Sequence, residues 1–136
     1  FAYLNINQII ADFMFSISDN YYVVMFMIFV IMFIVGMFIQ TTPAIIILAP
    51  TLLSVVTQVG CDPIHFGIIM TVNLAIGQST PPLGVNLFVS CGIAKISIEE
   101  NARAMVKFLI ANIIALLLIT YIEPISLTIP RLMGLM

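Results

Sequence analysis

Polar residues are so sparse along this chain that their positions divide it into segments. Over residues 1–20 the two kinds are mixed: Ile6, Ile9, Ile10, Phe13 and Ile17 recur at helical spacing, while Asn5, Gln8, Asp12 and Asp19 interrupt the apolar surface. That pattern predicts a short helix lying near a membrane interface, followed by a turn at Asp19-Asn20. Residues 21–39 are then continuously apolar, broken only by Gly36. As a helix this run reaches ~29 Å, about one hydrocarbon core, with Tyr21 and Tyr22 suited to the headgroup level.

Gln40-Thr41-Thr42-Pro43 ends the run. Thr42 suits an N-cap and Pro43 a first helical residue, so a second helix is expected to start there and end at Gly60. Pro50 inside it cannot donate to the carbonyl of Ile46 and should kink it. The connection at 40–42 leaves two geometries open. Both legs cross the bilayer, or both enter and leave on one side with a polar tip at depth.

Asp62-Pro63 repeats the signal of a cap followed by a proline. Residues 64–76 are apolar except for His65, Thr71 and Asn73, and they run into Gly77-Gln78-Ser79-Thr80-Pro81-Pro82-Leu83-Gly84. Two adjacent prolines cannot continue a helix, and the apolar pattern resumes only over 85–93. As helices 63–76 and 84–93 would be ~21 Å and ~15 Å long, each too short to span and together a match to one bilayer. The expectation is one discontinuous spanning helix, interrupted near the midplane. Peptide groups freed at such a break persist in a membrane only if they are buried in protein, line a cavity or meet a ligand.

Ser97 and Glu100 then form a capping box for a last spanning helix running to about Ile122, with Glu99 also suited to its first turn. Arg103 and Lys107 share a face near its start, Glu123-Pro124 ends it, and the tail 125–136 reads as interfacial. Lys95, Arg103 and Lys107 place this connection in the cytoplasm and the 60–62 turn on the opposite side; Arg131 is the one basic residue that disagrees.

Composition supports the membrane assignment. Hydrophobic residues make up 62% of the 136 positions and charged residues 7%, against about 25% charged in a typical soluble domain. No Asp, Glu, Lys or Arg lies between Tyr21 and Cys61 or between Pro63 and Ala94. The net charge of -2 offers no basic footprint for nucleic acid. Cys61 and Cys91 lack metal-like spacing and read as small packing residues. His65 reads as a water-facing or interfacial residue near a helix start. Gly36, Gly67 and Gly92 are expected to permit close helix contacts. No signal peptide is visible at Phe1, and a longer parent chain is expected. No catalytic constellation is present, so no enzyme is expected.

The candidate site is built from neutral polar groups: Gln40, Thr41 and Thr42 at one interruption, Gln78, Ser79, Thr80 and Asn86 at the other. Sodium takes oxygen ligands of the kinds that interrupted helices expose, namely carbonyls, hydroxyls and amides. Helix starts at Pro43 and after Pro82 would direct partial positive charge at an anionic solute. A cation and an anion could then bind close together and compensate each other.

The stretches VGMFIQTTPAIIILAPTLL and DPIHFGIIMTVNLAIGQSTPPLGVNLFVSCGIAKISIEE resemble the C-terminal part of the large membrane subunit of tripartite ATP-independent periplasmic (TRAP) transporters, a resemblance covering nearly the whole chain. It implies an all-α integral membrane fold of the elevator type, with a re-entrant helical hairpin and a discontinuous transmembrane helix. Residues 1–20 would be an interfacial or connecting helix and 21–60 the hairpin. Residues 61–94 would be the discontinuous helix, and 95–136 a cytoplasmic connection, a scaffold helix and the tail. The Thr80-Pro81-Pro82 turn and Asn86 resemble the family's ion-site motif, whereas Gln40 stands where the hairpin tip often carries an acidic or small polar residue. Together these readings make Gln40, Thr41, Thr42, Gly77, Ser79, Thr80 and Asn86 the expected sodium-binding residues. Thr42, Thr80, Pro81 and Pro82 are the expected substrate contacts. The family further implies a multi-pass protein of the bacterial inner membrane, sodium-driven uptake of dicarboxylates, other carboxylates or sialic acids, and three partners besides lipid: the rest of the large subunit, a small four-helix membrane subunit and a periplasmic substrate-binding protein. The competing readings are a subunit of another secondary anion transporter, a channel-like pore, and a membrane scaffold without an ion site. An electron-coupling or enzymatic membrane subunit lacks the charged and cofactor-ligating residues it would need.

Overall fold

The computed structural model describes residues 6–135. The first five residues of the expected 1–20 segment and the last residue of the tail lie outside the described residues. Among the described residues there are seven helices and no strand: α1 (Ile6–Ile17), α2 (Tyr21–Phe38), α3 (Thr41–Gln58), α4 (Pro63–Gly77), α5 (Val85–Ala94), α6 (Ile98–Tyr121) and α7 (Glu123–Leu132). Three of them, α2, α3 and α6, are long and apolar enough to cross a membrane. Exposed Phe26, Ile34, Ile46, Phe108, Ile110 and Ile114 on these helices leave an apolar exterior that suits lipid or further membrane-embedded protein.

Asn20 caps α2 through its side-chain oxygen, which accepts the Tyr22 N–H at 3.0 Å, and Ile39 ends the helix in an extended conformation. With one further residue, Gln40, the chain turns into α3. The start of α3 differs from the expectation. Gln40 occupies the cap without a side-chain hydrogen bond, and Thr42 and Pro43 lie inside the first turn. Pro43 is tolerated there because a first-turn N–H has no intrahelical acceptor to lose. The helix continues through Pro50. At the other end Gly60 adopts φ +85°, the left-handed region that glycine enters without steric cost. Asp62 then caps α4 as expected, its carboxylate accepting the N–H groups of Ile64 and His65.

The core lies where α2 and α3 pack on α4. Val24, Ile28 and Met32, Leu52, Val55 and Val56, and Phe66, Ile69, Met70 and Leu74 meet there, with Leu116 of α6 completing it. The α2–α4 seam is close enough to exclude any side chain at two positions. A Cβ on Gly36 would lie 2.9 Å from the Leu74 carbonyl oxygen, and one on Gly77 would lie 2.8 Å from the Gly36 backbone. Asn73 crosses the same seam, donating to the Phe29 carbonyl at 3.0 Å. Gly67 and Gly92 have open space where a Cβ would go, so the close-contact role expected of all three helical glycines holds only for Gly36. In α1 the Ile9, Phe13 and Ile17 stripe faces outward, and Ala11 and Met14 make the buried contact instead.

At ~36 Å, the 24-residue α6 is long enough to back both halves of the interrupted helix. Near its start Asn101 donates to the Leu87 carbonyl at 3.3 Å and to Ser90 Oγ, tying it to α5. Near its end Thr120 presents its carbonyl to His65 Nε2 of α4 at 3.2 Å. The Ser97–Glu100 capping box forms as expected. Residues 123–132 form a helix, α7, whose Ser126 and Leu127 are buried against α4.

His65 also departs from the sequence reading. It is fully buried, with Nδ1 hydrogen-bonded to Ser126 Oγ and Nε2 to Thr120. A helix-end histidine was expected to face water or the interface. The α6–α7 corner covers it, and its two ring nitrogens are satisfied within the protein.

Candidate functional site

The segment between α4 and α5 satisfies much of its own backbone. The N–H groups of Gln78, Ser79 and Thr80 donate to the carbonyls of Leu74, Ile76 and Gly77 at 2.9–3.1 Å, tightening the end of α4. Gly84 N–H then returns to the Thr80 carbonyl at 3.2 Å, and Asn86 N–H to the Gln78 carbonyl at 3.2 Å. The chain thus folds back on itself across the break, with Pro81–Pro82 as a cis peptide at its outer edge. Gly84 is required by contact. A Cβ there would stand 2.5 Å from the Gln78 carbonyl oxygen and 2.7 Å from that of Thr80.

The tip of the α2–α3 hairpin comes directly to this break. Gln78 Nε2 donates to Thr41 Oγ1 at 2.7 Å, joining two positions 37 residues apart. Around that bond lies a cavity of about 290 Å³ lined by Gln40, Thr41, Thr42, Gln78, Val85 and Asn86. None of the six is ionisable. The cavity faces the first residues of α3 and of α5, so two helix starts border it with their partial positive charge. Hydroxyl and carboxamide oxygens on the same walls offer acceptors. One neutral space therefore holds donors suited to an anion and oxygens suited to a hard cation.

The expected site residues divide by position. Gln40, Thr41, Thr42 and Asn86 line the cavity. Ser79 lies beside it, its hydroxyl accepting from Asn86 Nδ2 at 3.5 Å. Thr80 is buried and its hydroxyl donates to the Ile76 carbonyl at 3.0 Å, a cap on the end of α4. Gly77 is turned to the seam with α2. Pro81 and Pro82 are exposed and absent from the cavity lining. Val85 joins the lining without having been singled out, since an apolar first residue of a helix carries no chemical signal in sequence. The His65–Thr120–Ser126 cluster also escaped sequence reading, because its members are 55 and 61 positions apart.

The family described as the DctM component of tripartite ATP-independent periplasmic transporters matches residues 1–125. The chain is 43% identical over 118 residues to the isethionate TRAP transporter permease protein DctMQ of Oleidesulfovibrio alaskensis, covering 87% of this chain and 19% of that protein. It is 33% identical over 134 residues to the C4-dicarboxylate TRAP transporter large permease protein DctM of Rhodobacter capsulatus, covering 98% of this chain and 30% of that one. The sialic acid TRAP transporter large permease protein SiaM of Vibrio cholerae is 34% identical over 125 residues, covering 92% and 29%. The chain thus spans less than a third of the length of these relatives.

Proposed function

This chain belongs to the family of DctM components of tripartite ATP-independent periplasmic transporters, and on that premise we propose that its 40–42 and 78–86 segments form one wall of a sodium-coupled binding site for a small organic anion. The family is one of transport permeases, not enzymes. The observation that carries the reading is the Gln78–Thr41 contact, which lies in a neutral polar cavity bordered by two helix starts. A cavity without ionisable walls holds an anion most favourably when a cation enters with it, because each then compensates the charge of the other. Sodium would meet the Thr41, Thr42 and Asn86 oxygens, with Ser79 and Gln40 within reach of the same space. A carboxylate would meet the helix starts.

In this reading α2 and α3 are a re-entrant hairpin, and α4 and α5 are the halves of one discontinuous helix in a moving transport unit of the elevator kind. Relatives are named for transport of isethionate, C4-dicarboxylates and sialic acid, names that support a small organic acid as the solute. The site would be completed by the rest of the large permease in the bacterial inner membrane. A small four-helix membrane subunit and a periplasmic binding protein would be its partners.

The test is uptake by the complete transporter in proteoliposomes under an imposed sodium gradient. Replacing Asn86 by Ala should raise the sodium concentration for half-maximal uptake about tenfold, the equivalent of ~1.4 kcal/mol of lost coordination. Unaltered sodium activation in both Asn86→Ala and Thr42→Val would reject the site. Uptake that never depended on sodium would reject the coupling.

A further inference from the structure

Gln78 is attached to three helices at once. Its N–H donates to the Leu74 carbonyl of α4 at 3.1 Å, and its carbonyl accepts the Asn86 N–H of α5 at 3.2 Å. Its side chain reaches Thr41 of α3 at 2.7 Å. It is half-buried, and its carboxamide forms part of the cavity wall. The end of α4 needs only the first of these contacts. The backbone bonds at 78–80 already close α4, and Thr80 caps it with its hydroxyl.

We infer that Gln78 is a positioning residue that couples the hairpin tip to the helix break, holding Thr41 and Asn86 in register so that one bound cation engages both. The inference rests on the cavity being a cation site. The physical reason is that the carboxamide can donate to Thr41 while its backbone carbonyl fixes where α5 begins. A displacement of either cavity wall is then passed to the other through one side chain. Two walls joined in this way gain cation affinity as a unit, because the cost of ordering them is met before the ion arrives. Once Thr41 is replaced, removing Gln78 should therefore cost nothing further. Independent ligands would give losses that multiply.

The experiment uses the complete purified permease and sodium chloride as the probe, with potassium chloride as the control. The readout is the sodium-dependent rise in melting temperature, titrated to its half-point. Gln78→Leu should raise that half-point about fivefold, within the range of one lost hydrogen bond, and Thr41→Val, which also removes a cation oxygen, should raise it further. The double variant should match Thr41→Val alone, Thr41→Ser should stay near wild type because it keeps the acceptor, and the sodium-free melting temperature should change little. A double variant shifted by the product of the two single effects would overturn the coupling. So would Gln78→Leu lowering the sodium-free melting temperature with an unchanged half-point, which is the signature of a purely structural clamp. Should Gln78→Leu fail to assemble, Gln78→Asn, too short to reach Thr41, takes its place: an unchanged half-point overturns the inference, and the fivefold loss supports it. If wild type shows no sodium-specific rise, the cation site itself is wrong and the inference falls with it. That outcome is distinct from a normal wild-type response with unresponsive Gln78 variants.

Discussion

The two ends of α4 meet the same physical demand in opposite ways. Its first turn, at Asp62–His65, is sealed: the cap carboxylate accepts two N–H groups, and His65 is enclosed by Thr120 and Ser126. Its last turn, at Gln78–Thr80, meets a cavity of about 290 Å³ and reaches across to another helix start. The closed end uses a titratable side chain whose two ring nitrogens are both bonded within the protein. The open end uses only neutral groups and leaves room for an ion and a small solute. The contrast shows that a polar residue in a membrane-embedded fold points to binding only where its partners leave a space. His65 has the more reactive side chain, but the cavity lies at the end that holds Gln78.

The largest effect is expected at Gly84. Gly84→Val should abolish uptake and lower stability by about 3 kcal/mol, since the clash is with backbone carbonyls that no side-chain movement relieves. Assembly and melting temperature of the full complex provide the check, and a normally folded Gly84→Val protein would refute the contact argument.

His65→Ala sharpens the contrast from the other side. It should cost about 2–3 kcal/mol, through two lost hydrogen bonds and the space left behind, while the sodium half-point of the surviving protein stays unchanged. A shift of sodium affinity with intact stability would move the functional role to the closed end.

The smallest effect is at Cys61, buried beside that closed end. Burial pushes its thiol up from 9.0 to about 11. The fold therefore favours the neutral thiol, and that contribution is complete below pH 9 and is lost as pH rises toward 11. Alkylation of Cys61, followed by peptide mass spectrometry, should be slow at pH 8 and accelerate only toward the upper end of that range. Rapid alkylation at pH 8 would contradict the enclosure.

Local rules carried much of the fold. The apolar run over 21–39, the Asp62 cap, the Ser97–Glu100 box and the Gly- and Pro-rich interruption each act over one to four residues, and each appears in the structure where the pattern put it. The start of α3 was misplaced by two residues because Gln40, Thr41 and Thr42 are all tolerable caps and local preference does not separate them. Of the site, the polar residues at both interruptions were legible as a set. That Gly77 belongs to the α2 seam, that Thr80 caps its own helix and that the prolines stand outside the cavity lining were not.

The sequence by itself determined that this chain is a membrane protein with interrupted helices, because lipid demands apolar surface and proline removes a donor wherever it stands. Only the tertiary structure decided that the hairpin tip at Thr41 meets the break at Gln78, and that His65 is sealed by α6 and α7. Those contacts join residues 37 to 61 positions apart. They depend on how whole helices pack, through features such as the Gly36–Gly77 approach, and no local pattern of side chains encodes that arrangement.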